Sequence, residues 1–280
     1  MELVIYGENM KFFFDFSSAL EYSPKQEFCV FVKGQIFPCA WNITGHEKTV
    51  LFFPGATRTD AIKPIFQRSS YFNELPYNCV SFFDPTLLLS KELTLGWFQG
   101  KVDGCLLDLF DSVFPELTSA LKVKNKDITI FGTSGAGIPG FHAAMNLPGC
   151  TLYSGNIQTD ISRYYKGKYR EMLLNCYPGL TGEVARDMYK DRITILDVDG
   201  DFNMIYAQNM VDVFHYENHF IPFLESYERK NFLGSFFTYS DEHSGHGPLG
   251  RKVELEIIKC IVEGGQVESI LPSSQKISVD

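Results

Sequence analysis

The sequence predicts an α/β protein: one mostly parallel central sheet flanked by helices. Three observations predict it. Apolar runs of four to six residues, rich in β-branched and aromatic side chains, recur from Thr49 onward. Such runs are what strands buried on both faces look like. Segments of helical length and periodicity separate most of them, which implies right-handed crossovers. Each run ends in Gly, Asp, Ser or Asn, the residues that turn a chain at a strand's carboxyl end.

In order, the first 48 residues form a β lead-in with short runs at Leu3–Tyr6, Lys11–Phe16 and Phe28–Lys33. Gly and Pro break these runs, so antiparallel hairpins are expected. The sheet strands follow at Thr49–Phe53, Cys79–Phe83, Ile128–Phe131, Cys150–Tyr153, Phe202–Ala207 and Gly234–Tyr239. Helices are expected at Cys105–Leu121, Ile138–Asn146, His219–Lys230 and Lys252–Glu263. Residues 157–190 interrupt the alternation with a helical, lid-like insertion. One domain spans 1–265, and the polar tail 266–280 reads as frayed.

The formal charge is −9, from 25 Lys+Arg against 34 Asp+Glu. That excludes a polyanion groove, because nucleic-acid binding needs a basic face. The seven cysteines are odd in number and contain no CxxC, which argues against a disulfide framework or a structural zinc. Reduced, buried thiols in a cytoplasmic protein are expected. The N-terminal MELVIYGENMKFFFDF lacks a basic segment leading into an apolar run, and no apolar stretch approaches the length of a membrane span. Of the 25 Phe and 14 Tyr, Phe is expected to fill the sheet core and Tyr to gather in the lid.

In an open α/β sheet, chemistry collects at the carboxyl ends of the strands. After Ile128–Phe131 comes Gly132-Thr133-Ser134-Gly135-Ala136-Gly137, then a helix. Strand, tight turn and helix with small flanking residues make a nucleophile elbow, exposing the Ser134 hydroxyl at a helix N-terminus. Ala136 stands where G-x-S-x-G has its second glycine. The turn is neither a P-loop nor a dinucleotide fingerprint.

A serine hydroxyl needs a histidine base oriented by a carboxylate, in the hydrolase order Ser, acid, His. Two histidines, His243 and His246, follow the last strand. His246 is favoured because Gly245 and Gly247 let its loop fold over the site. Asp197, Asp199 and Asp201 precede the strand Phe202–Ala207 and so lie at the far end of the sheet, whereas Asp212 follows it. Asp212 is the preferred acid. A rival reading groups Asp212, His215 and His219 as metal ligands, but the segment does not match H-E-x-x-H and lacks a fourth ligand; no metal is expected. The loop Phe53-Pro54-Gly55-Ala56-Thr57 offers the backbone N–H of Ala56, which with that of Gly135 would form an oxyanion hole.

The pieces FFPGA, SFFDPT, GWFQG, FGTSGAG, NIQTDI, QNMVDVFHYENHFIPF and SGHGP appear in that order between about Thr49 and Pro248. With them the chain resembles the α/β-hydrolase-type O-acetyltransferases encoded in bacterial capsule and surface-glycan clusters. Asp212-Val-Phe-His215 and Gly245-His246 match the family's motifs and strengthen Asp212 and His246. The resemblance implies a cytoplasmic enzyme that moves acetyl from acetyl-CoA to a sugar hydroxyl of a glycan, with no bound cofactor. Tyr164 and Tyr165 in the lid could stack on sugar rings. Arg163 and Lys166 could meet a phosphate, and His215 could line the site. Two alternatives stay open: an esterase or deacetylase of the same fold, and a non-enzymatic binding subunit.

Overall fold

A computed structural model describes residues 10–279 except 229, 231 and 244. The run Leu3–Tyr6 lies outside the described residues. Ten strands form one sheet: β1 (Lys11–Phe13), β2 (Lys25–Val32), β3 (Gln35–Asn42), β4 (Thr49–Phe52), β5 (Asn78–Phe82), β6 (Ile128–Thr133), β7 (Thr151–Gly155), β8 (Asn203–Asn209), β9 (Leu233–Tyr239) and β10 (Gln275–Ile277). Their order across the sheet is β1-β2-β3-β5-β4-β6-β7-β8-β9-β10. From β5 to β9 every neighbour is parallel. The order reverses around β4, and β6, which leads into Ser134, lies between β4 and β7.

Nine α-helices accompany the sheet among the described residues: α1 (Phe16–Tyr22), α2 (Phe110–Leu121), α3 (Gly137–Met145), α4 (Lys166–Cys176), α5 (Gly182–Met188), α6 (Lys190–Ile193), α7 (Val213–His215), α8 (Ile221–Tyr227) and α9 (Arg251–Val262). Alternate residues along the strands serve two separate cores. Leu51, Phe53, Val80, Phe82 and Ile130 face a layer built with α1, α2, α3 and α8. Val50, Phe52, Cys79, Phe83 and Phe131 face a layer built with α9. Helix α2 buries Phe110, Val113, Phe114 and Leu117, the i, i+3, i+4, i+7 stripe of an amphipathic helix. Its Phe110 and Phe114 pack edge-to-face, 4.9 Å apart, against Phe53 and Phe82. All seven cysteines are unpaired, and six are buried.

Four expectations are corrected. The run Lys11–Phe16 is not one strand: β1 stops at Phe13, and the Asp15 carboxylate accepts from Ser18 N at 2.6 Å to cap α1. The lead-in is only partly antiparallel, since β2 and β3 form a hairpin but β1 runs parallel to β2. The polar tail is not frayed. Val267 and Leu271 are buried, and β10 adds an antiparallel edge to β9. Nor is Tyr confined to the lid: Tyr153, Tyr206 and Tyr239 lie buried in the sheet. Their hydroxyls need partners, and two have them: Tyr206 donates to Ile157 O and Tyr239 meets the Asn156 amide.

Candidate active site

The elbow is built from steric necessity. Ser134 sits at φ +56°, a left-handed conformation that strains a non-glycine residue by about 1–3 kcal/mol. A Cβ on Gly132 would stand 2.9 Å from the Ala136 Cβ, so glycine at 132 accommodates alanine at 136. On Gly135 a Cβ would strike Leu95 at 2.3 Å. On Gly137 it would strike the Gln158 carbonyl at 2.5 Å. Each glycine of the motif thus answers to a specific close approach.

Three side chains meet at the carboxyl ends of β6, β8 and β9. Ser134 Oγ lies 2.8 Å from His246 Nε2, and His246 Nδ1 lies 2.6 Å from Asp212 Oδ2. The proton on the ring belongs on Nδ1, facing the carboxylate, which leaves Nε2 to accept from the hydroxyl. His243, the reserve, is exposed, and its backbone N–H donates to the Asp241 carboxylate at 3.0 Å. The Asp197–Asp201 cluster stays before β8, where Asp197 pairs with Lys190 at 2.8 Å.

Both loops carrying the acid and the base hang on one buried amide. Asn209, the last residue of β8, donates to the carbonyls of Asp241 and Gly245 at 2.9 and 2.8 Å. Its own carbonyl accepts from Asp212 N at 3.1 Å. Asn156 in turn accepts from Asn209 N at 2.6 Å. Gly245 at φ +51° makes the bend that brings His246 back over Ser134.

His215 was expected among substrate-binding residues. It is instead fully buried, with its Nδ1 3.1 Å from Asp212 Oδ1 and its ring stacked on His246 at 3.7 Å and 15°. Burial pushes the Asp212 carboxyl up, but the hydrogen bonds from His215 and His246 outweigh it and hold the group well below the usual carboxylate range. Burial lowers His215, so it stays neutral. The metal reading needed His219 beside Asp212, but His219 Nδ1 accepts from Thr159 N at 3.3 Å. Among the described residues, Asp212, His215 and His246 bring donor atoms within 4.8 Å of one another, and hydrogen bonds already occupy both Asp212 carboxylate oxygens and the two Nδ1 atoms.

Across from the elbow, the loop after β4 is clamped by Gln67, which sequence reasoning missed. Its Oε1 accepts from Gly55 N at 3.0 Å, and its Nε2 donates to Gly55 O and Ala56 O at 3.3 and 3.1 Å. A Cβ on Gly55 would come within 3.3 Å of Thr133 O, so the loop rides directly over the elbow. A second missed residue, Gln158, is fully buried with its Nε2 3.3 Å from Ser134 Oγ. Long-range contacts place both glutamines, so local pattern carries no signal for them.

Tyr164 and Tyr165, within residues 157–190, join an aromatic wall with Trp97 and Phe214. Tyr165 is about half exposed and stacks on Phe214 at 4.2 Å and 14°. Tyr164 meets Trp97 edge-on at 5.9 Å. Of the expected cations, Lys166 is exposed at the start of α4, and Arg163 leans 3.7 Å from the buried Asp160, which also holds Arg186 at 2.9 Å. Lys168, two residues further on, reaches Thr94 Oγ1 at 2.8 Å, and Thr94 O accepts from Thr57 N in the loop after β4.

No protein-family model matches the chain, and no curated protein matches it in sequence. Solved structures do match. The capsule O-acetyltransferase of Neisseria meningitidis serogroup A is 14% identical with a TM-score of 0.64, covering 85% of this chain and 94% of its own. A mutant of that acetyltransferase in complex with CoA matches at a TM-score of 0.59 and 14% identity, covering 84% of this chain and 94% of its own. EstE5-PMSF matches at a TM-score of 0.56 and 11% identity, covering 86% and 85%. The chain therefore has the α/β-hydrolase fold expected from the sequence. Among the described residues no helix is long and apolar enough to cross a membrane.

Proposed function

We propose that the chain transfers an acyl group through an acyl-Ser134 intermediate, and that the reaction is O-acetylation of a bacterial surface glycan from acetyl-CoA. The observation that carries the reading is the unbroken relay from Ser134 Oγ through His246 to Asp212, at 2.8 and 2.6 Å on a strained elbow. As Oγ attacks the thioester carbonyl, His246 Nε2 takes its proton, and Asp212 stabilises the imidazolium without being protonated itself. The backbone N–H groups of Ala56 and Gly135 receive the oxyanion. Collapse breaks the C–S bond, and His246 returns the proton to the leaving thiolate. In the second half, His246 takes a proton from the acceptor hydroxyl as that oxygen attacks the acyl carbon. Collapse then restores Ser134 with the same proton.

The relay would serve water as readily as a sugar, so an esterase is the second reading. The half-exposed Tyr165 on its Phe214 backing favours the sugar, because a flat ring at the rim offers a stacking surface that water does not use. Lys166 and Arg163 are exposed, and in this reading they meet a phosphate of donor or acceptor. The CoA complex of a structural neighbour supports acetyl-CoA as the donor. Incubation with acetyl-CoA and de-O-acetylated capsular polysaccharides, followed by NMR, tests this. Acetyl esters on the glycan are expected. Acetate release without glycan product would assign a hydrolase, and no turnover of either kind would assign a binding subunit.

A further inference from the structure

The Gln158 side chain has only one orientation open to it. Trp97 Nε1 lies 2.6 Å from its Oε1. An indole N–H can only donate, so the oxygen of the amide must face Trp97 and the NH2 must face the other way. That other way holds Ser134 Oγ, 3.3 Å from Nε2. Gln158 N also donates to Ser134 O at 3.0 Å, so the backbone beneath the amide is stitched to the elbow itself.

Considerable structure is devoted to delivering that indole. Trp97 and Phe98 are consecutive left-handed residues at φ +50° and +56°. The buried Asp84 carboxylate holds the turn, accepting from Phe98 N at 2.9 Å and Thr86 N at 2.9 Å. Thr86 Oγ1 accepts from Gly100 N at 2.9 Å. A Cβ on Gly96 would lie 2.5 Å from the Thr86 side chain and 2.6 Å from Asp84. Two strained residues and a buried carboxylate are each unfavourable and persist only where the surroundings over-determine them. Such strain concentrates at functional sites.

We propose that Gln158 is a catalytic residue whose amide N–H donates to Ser134 Oγ, and that the Trp97 turn exists to fix that donor. Oγ gives its own proton to His246 and accepts from Gln158. When Oγ loses the proton in attack, and again when it becomes the leaving group in deacylation, the charge developing on it faces a fixed donor. The donor is buried and preorganised, so no reorganisation accompanies the step. It acts on the nucleophile oxygen rather than on the substrate carbonyl oxygen, and is therefore separate from the Ala56 and Gly135 groups.

This inference rests on Ser134 being the nucleophile, and the test separates the two. The rate of modification by a fluorophosphonate needs only the first attack and no acceptor. It is measured by intact mass on the wild type, Gln158→Met, Gln158→Glu, Gln158→Asn and Trp97→Phe, with circular dichroism melts identifying the folded variants. Gln158→Glu keeps the acceptor for Trp97 and replaces the donor by a carboxylate oxygen, whose charge adds to the loss, whereas Gln158→Met removes the donor without adding charge. Folded Gln158 variants are expected to react roughly 10- to 100-fold more slowly, the scale of one donor lost from an oxygen that develops charge. Trp97→Phe keeps the NH2 and is expected to lose less. Folded variants that react at the wild-type rate overturn the role of Gln158 alone. A wild type left unmodified at Ser134 overturns the nucleophile reading itself.

Discussion

Arg68 and Glu254 form a buried pair next to the elbow, and its energetics can be worked from the structure. The pairing is bidentate, with Nε to Oε2 and Nη2 to Oε1 both at 2.9 Å, and the side chains are 8% and 3% exposed. Arg68 Nη2 also donates to Thr133 Oγ1 at 2.9 Å, and Tyr71 donates to Glu254 at 2.8 Å. At an effective dielectric of about 20, charges about 4 Å apart attract by about 4 kcal/mol. Desolvation costs several kcal/mol per ion, so the intact pair contributes little net stability. Removing one partner is a different matter, because it leaves a charge buried without compensation. Glu254→Leu and Arg68→Met are each predicted to lose about 3–5 kcal/mol, and the double substitution to recover most of that loss. Urea unfolding of the four proteins gives the coupling energy directly. Single variants within about 1 kcal/mol of wild type, or a double variant whose loss equals the sum of the singles, would refute the reasoning.

Two further predictions follow from the site. Replacing Gln67 by Ala frees the Gly55–Ala56 loop from three hydrogen bonds. Acyl transfer should fall about 10- to 100-fold, chiefly in kcat, since the loop's proposed N–H acts on the transition state; unchanged kcat would exclude that loop as the oxyanion donor. His219 is fully buried and its Nδ1 accepts a backbone N–H, so the ring is held neutral. Burial, with His215 nearby, lowers its pKa from 6.5 to about 3. Between those values the unfolded chain binds a proton that the folded chain refuses, so stability falls as pH drops below 6.5. From pH 7 to pH 5 the wild type should lose about 2 kcal/mol more than His219→Gln, a figure insensitive to any folded pKa below about 4. Parallel urea titrations at the two pH values check it, and identical slopes would contradict it.

Much of the parallel sheet was legible in the sequence because buried strands there are short, apolar and punctuated by turn residues. Strand β3 was harder to read, since Pro38 interrupts it. The structure accommodates that proline opposite Cys29, with its carbonyl accepting from Phe83 N. Strand β10 was invisible because Gln275, Lys276 and Ile277 make a short, polar edge, the composition that discourages further pairing. At the site, the tight strand-to-helix turn at Ser134 was legible because an elbow is local steric chemistry. The positions of Asp212 and His246 after β8 and β9 were legible because sheet topology dictates where they fall along the chain. The place of His215 beneath Asp212 was not legible, since it depends on the burial of a π-helical turn at Tyr216–Phe220 that no periodicity announces. Gln67 and Gln158 act across 12 and 24 residues of sequence, and a lone glutamine in a loop looks like any other.

The account stands most directly on the covalent intermediate. The protein mixed with acetyl-CoA in the absence of acceptor, quenched in acid and analysed by intact mass and peptide mapping, should carry one acetyl group on the peptide containing Ser134. Ser134→Ala should carry none and should not turn over. Acetyl transfer at the wild-type rate by Ser134→Ala, or an acetyl group found only on another residue, would contradict the account.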